Sequence, residues 1–147
     1  MTQKDINEIR AFNRFYVVFI GALNRSYLNT RYSLPESRVM HATYYKPGLT
    51  PSDIIGMLNI DKSYLSRIII SLEKRKLLTK KQETGDKRVV NLYLTALGNK
   101  EFEKIDRAAN ELTKNLVAGL SDKDCDTVVK SMMQIREILS AAKNNTE

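Results

Sequence analysis

The stretch TPSDIIGMLNIDKSYLSRIIISLEKRK, residues 50–76, holds two helix start signals in quick succession. Thr50 caps the first helix, Pro51 fits its opening position with a fixed φ and no N–H to satisfy, and Asp53 suits the positive end of the dipole. That helix is short, running through Ile54, Ile55, Met57 and Leu58. Asn59-Ile60 then makes a turn, and Asp61 caps the next helix. In this second helix Leu65, Ile68, Ile69 and Leu72 stand at i, i+3, i+4 and i+7, a full apolar stripe. Lys62, Ser63, Ser66 and Arg67 point the other way, with Tyr64 near the edge. Two short helices at a tight turn, the second polar and basic at its start, follow the plan of a helix-turn-helix.

Working outward, the spacing predicts a strand over 77–83, a glycine tip in TGDKR, residues 84–88, and a strand over 88–94 whose Val90, Leu92 and Leu94 alternate. Gly85 supplies the permissive backbone of that hairpin, or wing. Thr95 caps a long helix carrying Phe102, Ile105, Ala109, Leu112 and Leu116. Gly119 breaks it, and Ser121 starts the last helix, with Cys125, Val128, Met132, Ile135, Leu139 and Ala142. Upstream, Ile6, Ile9, Phe12, Phe15, Tyr16, Phe19, Ile20 and Leu23 place an amphipathic helix over about 4–28. Ser33-Leu34-Pro35-Glu36 begins another, with Ser33 as cap, which stops near Tyr45 before Pro47-Gly48. The fold class is mainly α with a small β-hairpin wing. The long end helices repeat apolar residues in steps of three and four, a coiled-coil-like seam that wants partner helices. Self-association is the inference.

The 147 residues suit one domain with a real core. Charge is unevenly spread: residues 1–49 carry 7 basic and 3 acidic side chains, residues 50–100 carry 10 and 5, and residues 101–147 carry 7 and 9. The positive excess avoids the C-terminal third, and a local field of that sign suits a polyanion, nucleic acid first. The most apolar run, FYVVFIGAL at 15–23, is half the length of a spanning helix, so no membrane partner is expected. The opening MTQKDINEIR is too polar for a secretory signal, and the single Cys125 cannot form an internal disulfide, which together place the chain in the cytoplasm.

The segment 49–98 resembles the winged helix-turn-helix of the MarR (multiple antibiotic resistance regulator) family. The resemblance is carried by Asp61-Lys62-Ser63, Ser66-Arg67, Leu72-Glu73-Lys74-Arg75, Asp86-x-Arg88 and Leu94-Thr95 with Gly98. A narrower similarity, in IRAFNRFY (9–16), YSLPESRVM (32–40) and Tyr64-Leu65-Ser66-Arg67, points to regulators often fused to a GNAT acetyltransferase. No acetyl-CoA loop or room for that second domain is present in these residues. The resemblance implies a single MarR-like domain over 1–147: a winged lobe about 34–98, and dimerisation helices about 4–28 and 96–143. It further implies a cytoplasmic homodimeric repressor of pseudo-palindromic duplex DNA, without a cofactor, that responds to a small aromatic or phenolic effector.

Each residue's role follows from that resemblance joined to its chemistry. Arg67 can fork to guanine O6 and N7, while Lys62 and Ser63 suit phosphates and Ser66 reaches either target. Tyr64 departs from the small residue usual in the family, and it packs on thymine methyls, bonds a phosphate or closes the turn. Arg88 reaches a minor groove, Lys87 adds a phosphate contact, and Asp86 holds a nearby arginine. Lys76 replaces a usual glycine, which predicts a left-handed conformation there or a different turn. Phe12, Tyr16, Phe19, His41, Tyr44 and Tyr45, with Phe15, form an aromatic set; plain core is the first reading and effector pocket the second. His41 alone makes no metal site, and Cys125 on the apolar seam reads as a buried thiol. No catalytic set of side chains appears. The competing function is a winged-helix protein-interaction module without operator binding.

Overall fold

The computed structural model describes residues 1–28, 30–82 and 89–144, and side-chain surroundings for 1–21, 30–82 and 89–142. The described elements are α1 (Gln3–Leu28), α2 (Leu34–Tyr45), α3 (Pro51–Leu58), α4 (Lys62–Lys74), β1 (Leu78–Gln82), β2 (Val90–Leu94), α5 (Ala96–Val117) and α6 (Asp122–Asn144). They fall into two compact units, Met1–Asn110 and Glu111–Glu147, and α5 runs from the first into the second. None of the described helices is long and apolar enough to cross a membrane.

The start signals act as the sequence predicts. Ser33 and Glu36 close a capping box at α2, and Thr50 with Asp53 closes another at α3. Asp61 accepts the Tyr64 N–H at 2.9 Å to begin α4. Asn59, between α3 and α4, is left-handed at φ 48°, a conformation that asparagine tolerates better than most residues. On α4 the stripe of Leu65, Ile68, Ile69 and Leu72 is fully buried, joined by Val39 and Met40 of α2, Ile54 of α3, Leu78 of β1, Leu92 of β2 and Phe102 of α5. Burying four such side chains contributes on the order of 1.5–3 kcal/mol each before ordering costs.

Against the predicted 77–83 and 88–94, the described part of the hairpin begins at Leu78, one residue late, and leaves Val89 unpaired in the ladder. The end of α4 explains its start: Lys76 takes φ 57°, its N–H donates to the Glu73 carbonyl at 2.8 Å, and the Leu77 N–H donates to Leu72 at 2.9 Å. That is a Schellman cap built on a lysine, and it ties Leu77 to the helix, so pairing begins at Leu78. The register runs Leu78↔Leu94, Lys80↔Leu92 and Gln82↔Val90, antiparallel. Of the alternating trio only Leu92 is fully buried, while Val90 and Leu94 are half-buried. Residues 83–88, including the predicted tip, lie outside the described residues.

A third extended segment joins the wing. The Gly48 N–H donates to Leu92 at 2.9 Å, and the Leu92 N–H donates to Leu49 at 2.9 Å. Gly48 makes this possible at φ 91°, with the Tyr93 hydroxyl close to where a β-carbon would stand. The base of the hairpin is stitched to α5 by Thr95. Its N–H donates to Leu77, its hydroxyl donates to Lys76, and the same hydroxyl accepts the Gly98 N–H at 3.0 Å. A β-carbon at Gly98 would fall 1.9 Å from the Leu77 carbonyl oxygen, so only glycine lets α5 start against this strand.

The aromatic set is not plain core, and here the first sequence reading is corrected. Phe12 and Phe15 are exposed, as are Val17 and Val18 beside them. Cys125 is half-buried, and Met132, Ile135 and Leu139 further along α6 are exposed in the single chain. In both cases the apolar face is left uncovered by its own compact unit.

Candidate nucleic-acid interface

With its apolar stripe turned inward, α4 presents Lys62, Ser63, Tyr64, Ser66 and Arg67 outward, all exposed. Arg67 is held in place on that face. Its Nε donates to the Ser63 carbonyl at 3.4 Å, and its guanidinium lies over the Tyr64 ring, 5.8 Å from the centroid. With Nε engaged and the ring plane covered, the two Nη groups are left for a pair of parallel hydrogen bonds. Tyr64 therefore has a visible contact that the sequence did not specify: it backs Arg67. Ile70 continues the outward face as an exposed apolar side chain.

Beside this face lies a shallow cleft of about 280 Å³ between α3, α4 and β1. Ile55, Leu65 and Ile69 form its apolar part, and Lys62, Ser66 and Lys80 its polar edge. Lys80 pairs with Glu73 at 2.7 Å, and Lys81 stacks over Tyr93 at 4.9 Å. The two lysines of β1 thus stand beside α4. Asp86, Lys87 and Arg88 of that tip lie outside the described residues.

The residues grouped for an effector separate into two clusters. Along α1, Phe12 stacks on Tyr16 at 5.6 Å and Tyr16 on Phe19 at 6.3 Å. Between α2 and α5, His41, Tyr44 and Tyr45 surround Phe102 at 5.8, 4.7 and 6.1 Å. The Tyr44 hydroxyl reaches Glu103 at 3.4 Å. No ring contact joins the clusters among the described residues, and none of the six residues lines the cleft beside α4. Among the described residues no group of three or more His, Cys, Asp or Glu is placed to hold a metal ion.

Sequence reasoning missed an ionic corner behind α4. Buried Glu101 accepts Arg31 Nη2 at 2.8 Å and the Tyr32 hydroxyl at 2.9 Å through one oxygen, and Lys104 at 2.6 Å through the other. Lys104, then Arg31 and Tyr32, hold its carboxyl at a pKa of about 2. At Glu36 burial alone would raise the pKa. Bonds from Ser33 and Ser71 and the charge of Arg75 bring it below the usual carboxylate range instead. Partners some seventy positions apart leave no periodic trace, so no sequence signal marked this corner.

The family model described as MarR family matches residues 32–90, from the corner residue Tyr32 to the start of β2. The uncharacterized HTH-type transcriptional regulator YybA of Bacillus subtilis is 21% identical over 94 residues, 64% of this chain and 63% of YybA, so the chain spans under two thirds of that relative. A MarR family protein from Bacillus stearothermophilus superposes with a TM-score of 0.82 at 13% identity, covering 95% of this chain and 99% of the other. Streptococcus pneumoniae FabT, solved in complex with DNA, superposes with a TM-score of 0.72 at 20% identity, covering 95% and 99%. Residues 32–90 therefore match the MarR family model, in a chain whose fold is similar to that of a MarR family protein along most of its length.

Proposed function

We propose that this chain is a homodimeric, sequence-specific DNA-binding regulator of transcription, a repressor released when a small aromatic molecule changes the spacing of its two lobes. The observation that carries the reading is the outward face of α4, where Arg67 is stacked on Tyr64 and fixed through Nε to the Ser63 carbonyl, leaving its two Nη groups to reach outward. A regulator-type relative and a DNA-bound structural neighbour support it. Arg67 forks to a guanine, a contact worth about 1–3 kcal/mol of discrimination. Lys62, Ser63 and the first N–H groups of α4 hold phosphates, Ser66 reaches a base edge or phosphate, and Tyr64 supports Arg67. Arg88 enters the minor groove beside the half-site, Lys87 meets a phosphate, and Asp86 orients an arginine. Two copies on one face of the duplex set their α4 helices about 34–36 Å apart, one turn of B-DNA.

Selection of bound duplexes from a random pool tests this. The expected outcome is an inverted repeat with half-site centres about one helical turn apart. In Arg67→Ala the preference for the recovered sequence over a scrambled duplex falls by about tenfold or more, by the loss of one bidentate base contact. A pool recovered without enrichment at several salt concentrations would leave the protein-interaction module as the better reading.

A further inference from the structure

The ionic corner behind α4 lies at the wrong end of that helix for reading bases. Arg75 forms the C-cap of α4, separated from the Asp61 N-cap by the 13 residues of the helix, about 20 Å. Its guanidinium is engaged on three sides. Nη1 donates to Glu36 Oε1 at 3.0 Å, Nη2 donates to the Arg31 carbonyl at 3.3 Å, and the plane lies 4.3 Å from the centroid of the buried Tyr32 ring. Glu36 works with both oxygens. Oε2 accepts the Ser33 N–H at 2.8 Å and closes the α2 capping box, while Oε1 takes Arg75 and the Ser71 hydroxyl at 3.1 Å. Tyr32 carries the linkage onward through its hydroxyl to Glu101 on α5.

Two features set this corner apart from ordinary surface pairing. It joins the start of α2, the end of α4, the α1–α2 connection and α5 through buried Tyr32 and Glu101 and half-buried Glu36 and Arg75, so solvent screening is reduced at both carboxylates. It also places carboxylates on a lobe whose field is otherwise positive, where each one opposes a polyanion. Acidic groups retained there, with every oxygen bonded, are explained by geometry rather than by charge.

From this we infer that Glu36 and Arg75 are positioning residues for operator recognition: they clamp the C-terminal end of α4 to α2 and α5 and so set the angle at which its N-terminal turns enter the groove. The inference rests on the DNA-binding reading above. Leverage makes it consequential. A tilt of about 5° at the clamped end moves the far end of a 20 Å helix by about 2 Å, more than a base-edge hydrogen bond tolerates.

Carboxylate-to-amide substitution separates geometry from charge. Glu36→Gln makes the protein more positive, and glutamine still closes the capping box. We expect Glu36→Gln to bind a scrambled duplex at least as tightly as wild type, yet to bind the selected operator about fivefold to thirtyfold more weakly, by fluorescence anisotropy. Arg75→Gln shows a similar operator loss with the salt slope unchanged. Because the pair acts as one clamp, the double variant is no weaker than the worse single variant. Circular dichroism confirms retained helix content in each. Tightening on both duplexes, or equal weakening on both together with lost helicity, overturns the inference. So does a salt slope reduced by about one in Arg75→Gln, which makes Arg75 a phosphate contact. A wild-type protein with no preference for any duplex overturns the inference and the proposed function together, whereas a wild-type preference left intact in the variants overturns the inference alone.

Discussion

Helices α4 and α6 carry apolar stripes of the same kind, and the chain treats them in opposite ways. On α4, Leu65, Ile68, Ile69 and Leu72 are at most 5% exposed. On α6, Met132 and Ile135 are each 41% exposed and Leu139 is 64% exposed. The first stripe completes a core within one chain and thereby fixes which face of α4 is turned outward. The second is left uncovered by its own compact unit, and an exposed apolar stripe of that length calls for a partner surface. Intrinsic helix signals do not distinguish the two, since both begin at sound caps, Asp61 and Ser121. What differs is whether the surrounding elements of the same unit cover the stripe.

The sharpest way to break this comparison is to wound both stripes. Leu72→Ala removes a fully buried side chain and should lower the unfolding free energy by about 2–5 kcal/mol, read by urea denaturation, at any protein concentration. The paired change Ile135→Glu with Leu139→Glu should instead leave the lobe folded. It should convert the sedimenting species to single chains, with operator affinity reduced about a hundredfold or more through lost bivalency. A pair of variants with the reverse pattern would mean the two stripes had been misassigned.

Smaller effects sharpen the picture of the lobe. Gly98→Ala puts a β-carbon into the Leu77 carbonyl, and the shift needed to relieve it should cost about 1–3 kcal/mol in thermal or urea unfolding. An alanine variant as stable as wild type would show that α5 does not start against the strand. The smallest effect concerns acid. Glu101 has its carboxyl lowered from 4.5 to about 2 in the folded chain. Its stabilisation is therefore complete above pH 4.5 and disappears as pH falls toward 2. Glu101→Gln should flatten the fall in stability across that window and leave the remainder of the acid limb in place. An unaltered limb would remove Glu101 from the pH response.

Much of the lobe was legible because its signals are local. Ser33 with Glu36, Thr50 with Asp53, and Asp61 each announce a helix within four residues, and the α4 stripe shows in its spacing alone. Lys76 was legible only as an anomaly, a lysine where the turn wants a left-handed residue, and the structure resolves it as a Schellman cap. The pairing of Gly48 and Leu49 with Leu92 was hidden, since two residues are too few to make a periodic pattern. The aromatic residues misled for a related reason: helical spacing reports that a face is apolar, not whether the same chain covers it. Exposed Phe12 and Phe15 and buried Phe102 with its ring neighbours have the same signature in one dimension. The corner of Arg31, Tyr32, Glu36, Arg75 and Glu101 is set by tertiary contact alone.

The central claim is that two lobes, joined through helices whose apolar faces one chain leaves bare, read one duplex together. Sedimentation equilibrium of the protein with a duplex carrying a single selected operator measures it directly. The account predicts two chains per duplex at saturation, and a species of two chains in the absence of DNA. One chain bound per duplex at full operator affinity would contradict it.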